Sequence, residues 1–372
     1  MKCKLEEVCS YIARGITPKY SDSSNFYVMN QKCIRNNTVN FVNSRQHDYT
    51  EKKVSTDKIL HLYDILVNST GVGTAGRVAQ LKSIPDNYLG ITVDSHVTIV
   101  RPDPKLIYPE YLGYFLQYKQ PSIESLAKGS TGQTEISRNS IVSIEIDLPD
   151  LVTQQKIVRI LSALDQKIEL NNKNNKKLAN LAKILFKKQF MSKIYGDKRV
   201  GDYLMPKRGK LLLSKNTKQG DVPVVAGGLN PATYHNQSNT LSPVVTISAS
   251  GANAGYVRLW GENVWASDSS YIDNSITESV YFWYILLKIR QDEIYNKQTG
   301  SAQAHIYPRH IGEMEVGDIN CGEMLEYNKK VKVFFEKIFN NEQENKKLLL
   351  LRDTLLPKLI SGEIKLGKTA KK

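Results

Sequence analysis

The sequence predicts an α+β protein: two similar mixed globules, each followed by one long helix, with the two helices pairing as an antiparallel coiled coil in a pseudo-twofold internal repeat. Three observations carry this expectation. First, the chain matches itself at an offset of 170, where Lys167, Ile168, Asn171, Asn175, Lys176, Lys177 and Leu178 fall on Lys337, Ile338, Asn341, Asn345, Lys346, Lys347 and Leu348. Second, residues 1–150 and 196–321 hold short β-rich runs, such as 65–67, 91–93 and 244–247, between Gly, Asn, Ser and Asp turn signals. Third, 151–195 and 322–360 carry helix formers, with no interior Gly or Pro before Pro357 in the last turn.

The expected order is a globule over 1–150, a helix over 151–195, a second globule over 196–321 and a second helix with its tail over 322–372. The repeat extends into the globules: Gln133, Ile136, Ile141, Glu145 and Ile146 match Gln303, Ile306, Ile311, Glu315 and Val316 at the same offset. Upstream the offset drifts with loop length, pairing Asp94 with Asp268, Gly76 with Gly255 or a near neighbour, and Arg14-Gly15 with Arg208-Gly209. One helical segment is expected inside each globule, near 108–118 and 280–290.

In the first long helix Ile157, Leu161, Leu164, Ile168, Asn171, Asn175, Leu178, Ala182 and Leu185 alternate spacings of four and three, the seam of a supercoiled pair. The second helix repeats it through Tyr327, Val331, Phe334, Ile338, Asn341, Asn345, Leu348, Arg352 and Leu355. Asn layers inside a seam cost stability and persist where they specify register. Antiparallel pairing brings Asn171 to Asn345 and Asn175 to Asn341, so that the amides satisfy one another; parallel pairing would match Asn with Asn too, but the globule between the helices and the twofold relation of the repeats disfavour it. About 32 paired residues at ~1.5 Å each make a rod of ~48 Å, the length of on the order of 14 base pairs.

The 372 residues carry 51 Lys plus Arg against 37 Asp plus Glu, a formal net charge of +14 and a pI near 9.3. That excess favours a polyanionic partner, nucleic acid before membrane. Ordinary apolar and charged fractions exclude disordered and collagen-like architectures. The four cysteines form no CxxC pair and have no His at ligand spacing, so neither a disulfide framework nor a zinc site is expected, and a reducing cytoplasm is. No targeting segment or membrane span is expected.

Motifs of catalysis dissolve on inspection. Gly71, Gly73 and Gly76 spell GxGxxG, but too few residues separate Gly76 from Pro85 for the helix of a dinucleotide site, and the duplicate at 250–260 continues as strand, so a glycine-rich hairpin or a loop close to DNA is expected. Pro85-Asp86 with Asp103-Pro104-Lys105 resembles a nuclease pattern, yet Pro104 argues for a turn where a strand is required. No GxxxxGK[ST], HExxH, NPPY or DPPY motif occurs, so no catalytic residue, metal ligand or cofactor site is expected.

Polar and basic loop residues remain as candidates for DNA contact, because such side chains bond base edges and phosphates. They are Arg14, Thr17, Lys19, Tyr20, Arg77, Ser130, Thr131, Gln133 and Arg138 in the first globule. Lys207, Arg208, Lys210, Lys215, Ser250, Arg258, Gln303, His305 and Arg309 are their counterparts in the second.

Residues 148–171, LPDLVTQQKIVRILSALDQKIELN, and 348–366, LLLLRDTLLPKLISGEIKL, resemble the helical segments of the specificity subunits of type I restriction-modification systems. The duplicated layout extends the resemblance over essentially the whole chain. It implies a non-catalytic subunit whose two target-recognition domains each read one half of a bipartite DNA sequence, while the helices set the spacer and dock two modification subunits. Those partners bind S-adenosylmethionine and methylate adenine; restriction subunits that translocate and cleave DNA can join them. S-adenosylmethionine, ATP and Mg²⁺ would belong to the partners. The chain begins almost directly at the first leading strand, so an extra N-terminal helical contribution to docking is expected to be missing. A stand-alone DNA-modifying enzyme and a coiled-coil adaptor that reads no sequence are the alternatives.

The charge is unevenly placed. Residues 1–150 hold 17 basic and 16 acidic side chains, and 196–321 hold 12 of each. Residues 151–195 hold 10 basic and 2 acidic, so specificity must come from a few placed residues on nearly neutral globules.

Overall fold

The computed structural model describes residues 2–129, 134–300 and 303–366. They fall into two compact units, Met1–Lys167 with Leu348–Lys372, and Ile168–Lys347.

In the first unit β1 (Lys2–Lys4) pairs antiparallel with β11 (Glu145–Asp147). An antiparallel sheet runs in the order β2 (Cys9–Arg14), β10 (Val97–Pro102), β7 (Ile65–Asn68), β8 (Val78–Gln80). A second sheet places β3 (Phe26–Met29) between antiparallel β6 (Arg45–Gln46) and parallel β9 (Gly90–Val93). A short hairpin, β4 (Ile34–Arg35) and β5 (Thr38–Val39), and three helices, α1 (Pro109–Tyr118), α2 (Gln120–Glu124) and α3 (Arg138–Val142), complete it. Successive residues of a strand face opposite sides, and β7 uses both. Ile65 and Val67 join the core that holds Leu112, Phe115 and Leu116 of α1, while Leu66 joins Met29, Ile91 and Val93 of the second sheet. Burial on both faces is why 65–67 reads as an unbroken apolar run.

The second unit repeats these three sheets, without a counterpart of the β4–β5 hairpin among the described residues. β12 (Lys198–Arg199) pairs with β20 (Glu315–Val316), and the four-stranded order is β13 (Lys207–Arg208), β19 (Ser269–Asp273), β16 (Val244–Ser248), β17 (Val257–Trp260). β14 (Val222–Val225) lies between antiparallel β15 (Thr233–His235) and parallel β18 (Trp265–Ala266). Helices α5 (Val280–Ile289), α6 (Gln291–Asn296) and α7 (Pro308–Gly312) match α1 to α3 in order. Among the described residues each globule thus has three α-helices in place of the single one expected.

Two 40-residue helices, α4 (Leu151–Phe190) and α8 (Cys321–Ile360), contribute to both units. Asp150 starts α4 by accepting the backbone N–H and hydroxyl of Thr153 at 2.9 and 2.7 Å, bonds that hold its carboxyl below the usual range. Asn320 Oδ1 starts α8 by accepting the Gly322 N–H at 2.8 Å. Within the second unit the pairing is antiparallel: the Tyr327 hydroxyl donates to the Ala182 carbonyl at 2.9 Å, Asn341 to Asn175 at 2.7 Å, and Asn171 to Asn345 at 2.9 Å. Asn171 also donates to Glu344 at 2.8 Å, and Asn345 to Asn172 at 2.9 Å.

The seam departs from strict heptads at its end. Leu185 is exposed, whereas Phe186 and Phe190 are fully buried against Phe282 and Tyr327. The steps of four from Ala182 to Phe186 to Phe190 follow the 3.6-residue period of a straight helix rather than the 3.5 of a supercoil, and so turn the aromatic rings toward α5.

In the first unit Asp165 of α4 ties three elements together. It accepts from Arg352 of α8 at 3.1 Å, from Lys82 at 3.1 Å and from the Tyr114 hydroxyl at 2.7 Å. Burial alone would raise this carboxyl; the Lys82 charge and the hydrogen bonds from Tyr114, Lys82 and Arg352 outweigh it and hold the group below its ordinary value. A depressed folded pKa gives stability that is complete above the unfolded value, about 3.9, and is lost as pH falls through the folded one. Asp165→Asn is expected to cost about 1–3 kcal/mol at pH 7, measured by urea unfolding. The gap to the unsubstituted chain should narrow below about pH 4; a gap that is constant with pH would contradict this role.

Candidate nucleic-acid interface

In each unit three segments meet at one end of the four-stranded sheet. In the first, β2 ends at Arg14, the glycine-rich turn joins β7 to β8, and 134–136 crosses between them. The Gly71 N–H donates to the Thr134 carbonyl at 3.0 Å, and the Ile136 N–H to the Ser69 carbonyl at 2.8 Å. In the second unit the Gly251 N–H donates to Ala304 at 3.1 Å and the Ile306 N–H to Ala249 at 2.9 Å.

Glycines permit further close backbone approaches beside this crossing. Gly15 and Gly209 follow the strand-end arginines, and a Cβ there would sit 1.9 Å from the Val93 carbonyl oxygen and 2.5 Å from that of Ala266, respectively. Gly76 and Gly255 close the hairpins at φ +88° and +87°, a left-handed conformation that favours glycine. The turn of 71–76 therefore runs directly into antiparallel β8, with no helix at its end to bind a dinucleotide. Gln120 and Gln291 each accept the first N–H of the returning strand, that of Val78 and of Val257, at 3.0 Å.

The arginines are neutralised in place. Arg14 donates to Glu135 at 2.6 Å and to the Ile136 carbonyl at 3.0 Å. Arg208 donates to Asp268 at 2.7 Å, and the Ser250 hydroxyl donates to the other oxygen of the same carboxylate. Burial pushes the Asp94 carboxyl up, opposed by the His96 N–H, which donates to it at 2.9 Å. The Thr70 hydroxyl meets His96 Nδ1 at 2.5 Å.

Loops after the arginines are tethered alike. The Lys19 N–H donates to Nδ1 of buried His47 at 3.1 Å, and the Lys218 N–H to Nδ1 of buried His235 at 2.9 Å. Along these loops Thr17 is exposed, Lys19 pairs with Glu51 at 2.9 Å, and Tyr20 lies 3.4 Å beneath the Arg45 guanidinium. Lys210 and Lys215 are exposed in the second unit.

The clusters therefore gather Arg14 in one unit, and Arg208, Ser250 and His305 with nearby Gln303 in the other. Arg77 folds onto the glycine turn through the Gly73 carbonyl at 2.8 Å. Arg309 approaches the Tyr307 ring that also stacks on His305. Other candidates are engaged elsewhere: Arg138 with the Ile12 carbonyl at 2.7 Å, Lys207 with Ser275 at 3.3 Å, and Arg258 with Trp260 and the Leu229 carbonyl. Ser130, Thr131 and Gln133 lie outside the described residues.

Sequence reading passed over the acids that hold the arginines and the histidines that hold the loops. A signal existed for the acids, since Asp268 matches Asp94, and Glu135 stands 170 positions from His305. Among the described residues no three His, Cys, Asp or Glu side chains gather as a metal set, and no helix is long and apolar enough to cross a membrane.

A duplicated α+β chain with paired long helices and matched polar loop clusters has the layout of a DNA specificity subunit. The family model of the type I restriction modification DNA specificity domain matches residues 1–180 of this chain, and the relatives it resembles are specificity subunits of type I restriction enzymes. It is 28% identical over 185 residues to the type I restriction enzyme HindI specificity subunit of Haemophilus influenzae, covering 48% of this chain and 39% of that protein. The MjaIX specificity subunit of Methanocaldococcus jannaschii is 26% identical over 302 residues, 70% of each chain. The crystal structure of a type I S subunit from M. genitalium shares the fold, with a TM-score of 0.61 at 19% identity, over 96% of this chain and 95% of that one.

Gly15→Ala and Gly209→Ala test the close approach of these strand ends to the ends of β9 and β18. Each should cost about 1–3 kcal/mol in denaturant unfolding, because rigid backbone must move to admit the methyl group. Losses below about 0.5 kcal/mol, the scale of ordinary surface substitutions, would show that the close approach is not required.

Proposed function

We propose that this chain is the non-catalytic, DNA-reading subunit of a type I restriction-modification complex in the cytoplasm, and that each unit's loop cluster reads one half of a bipartite duplex target. One observation carries the reading: the two clusters share backbone hydrogen bonds and a strand-end arginine, yet differ in the side chains around it. Thr70 and Glu135 in one unit stand where Ser250 and His305 stand in the other. A common scaffold bearing different donors and acceptors is suited to two different half-sites.

On this reading Arg14, Thr17, Lys19, Tyr20, Arg77 and Arg138, with Ser130, Thr131 and Gln133, serve the first half-site. Lys207, Arg208, Lys210, Lys215, Ser250, Arg258, Gln303, His305 and Arg309 serve the second. The pairing of α4 with α8, in the register given by Asn171, Asn175, Asn341 and Asn345, sets the spacer and docks two modification subunits. Those subunits supply S-adenosylmethionine and adenine methylation; restriction subunits supply ATP- and Mg²⁺-dependent translocation and cleavage. The acids on Arg14 and Arg208 keep the guanidiniums from binding phosphate indiscriminately, so that a base edge must outcompete a carboxylate.

Selection from random duplexes, with the modification subunit present, should return two short elements at fixed spacing. Arg14→Ala should then relax one element and Arg208→Ala the other, each by about 1–3 kcal/mol of discrimination. A contiguous consensus, or both elements relaxed by either change, would overturn the reading.

A further inference from the structure

We infer that the outward face of α4 in the second unit is a sequence-independent binding surface for the phosphate backbone of duplex DNA, an inference that rests on the DNA-reading function proposed above. The surface is made of Lys173, Lys176, Lys177, Lys183, Lys187 and Lys188, all exposed. At 3.6 residues per turn they share an arc of about 140°, opposite the face that buries Asn171, Ala182, Phe186 and Phe190.

Three features set this face apart from ordinary solvated lysines. The only acid on α4 between 168 and 190 is Glu169, and none of the six lysines has a carboxylate partner among the described residues. The partner helix differs: on α8, Lys330 pairs with Glu326, Lys332 with Glu336 and Lys346 with Glu262. The globules are close to neutral and their reading arginines are already held by acids, so they supply little of the long-range attraction that a DNA-binding protein uses to find and stay on a duplex.

Magnitudes agree with a phosphate contact. From Lys173 to Lys188 the helix rises ~22 Å, and a duplex of that length carries about 13 negative charges. Lysine is a flexible point charge without the fork that arginine offers to a base edge, which suits contact that ignores sequence. Exposed Ile184 lies within the stripe and exposed Leu181 beside it. They are what a protein partner would seek, so a protein occupant is the outcome against which the inference is tested.

The test uses the full chain and a duplex of random sequence, about 40 base pairs long, with affinity followed as salt is raised. Each phosphate contact contributes about 0.9 to the slope of log affinity against log salt. Replacing all six α4 lysines by glutamine should therefore lower the slope by about 3–5. Replacing Lys329, Lys330, Lys332, Lys337, Lys346 and Lys347 of α8 removes the same charge and should lower it by about 1 or less. Equal effects of the two replacements, or an unchanged slope for the first, would overturn the inference and leave this face to a protein. If the unsubstituted chain shows no salt-dependent binding to duplex, the DNA-reading proposal itself fails.

Discussion

The amide layers between α4 and α8 are the constraint on which the rest of the helix pairing depends. Asn171 and Asn341 are almost fully buried, and a buried amide without a partner costs about 1–3 kcal/mol. Sliding one helix by a turn would separate Asn171 from Asn345 and Asn341 from Asn175, setting amides against Leu178 or Ile338. Apolar residues in these layers would pack at least as stably, so what the amides add is a single register. Tyr327 and the phenylalanines of α4 then fall into place against α5, and α5 packs on the sheet that carries the loop cluster.

Each globule turns the same backbone arrangement into a different chemical surface. Glycines at 15 and 209 let the ends of β2 and β13 lie against the ends of β9 and β18, glycines at 76 and 255 close the hairpins, and hydrogen bonds among main-chain groups hold the crossing. Side chains at the crossing are thereby free to vary without altering the scaffold. That separation of scaffold from reader is the property a specificity subunit needs. It also agrees with globules of nearly balanced charge: on the proposed function, a few arginines restrained by acids discriminate, and the lysine face of α4 supplies attraction without discrimination.

Much of the architecture was legible because it is written in periodicities. The offset of 170 gave the duplication, the four-three spacing gave a helix pair, and the twofold relation expected of two similar units joined through a globule gave its antiparallel sense. Leu185 shows where that reading ends: a heptad pattern continues past the point at which a straight helix turns its aromatic residues toward a neighbouring helix. The parallel pairings of β3 with β9 and of β14 with β18 were not legible, since strand order across long connections leaves no local mark. Nor were the roles of Glu135, Asp268, His47 and His235, each of which acts on a residue distant in sequence. A lone acid or histidine in a polar loop looks the same whether it restrains a reader or faces water.

The central claim is that two independent readers stand on one ruler. It is tested most directly by replacing residues 1–150 with the corresponding domain of another family member and sequencing the methylated adenines in cells that also carry the modification subunit. The account requires that one half of the methylated motif change while the other half and the spacer stay as they were. A motif altered in both halves, or one with a new spacer, would contradict it.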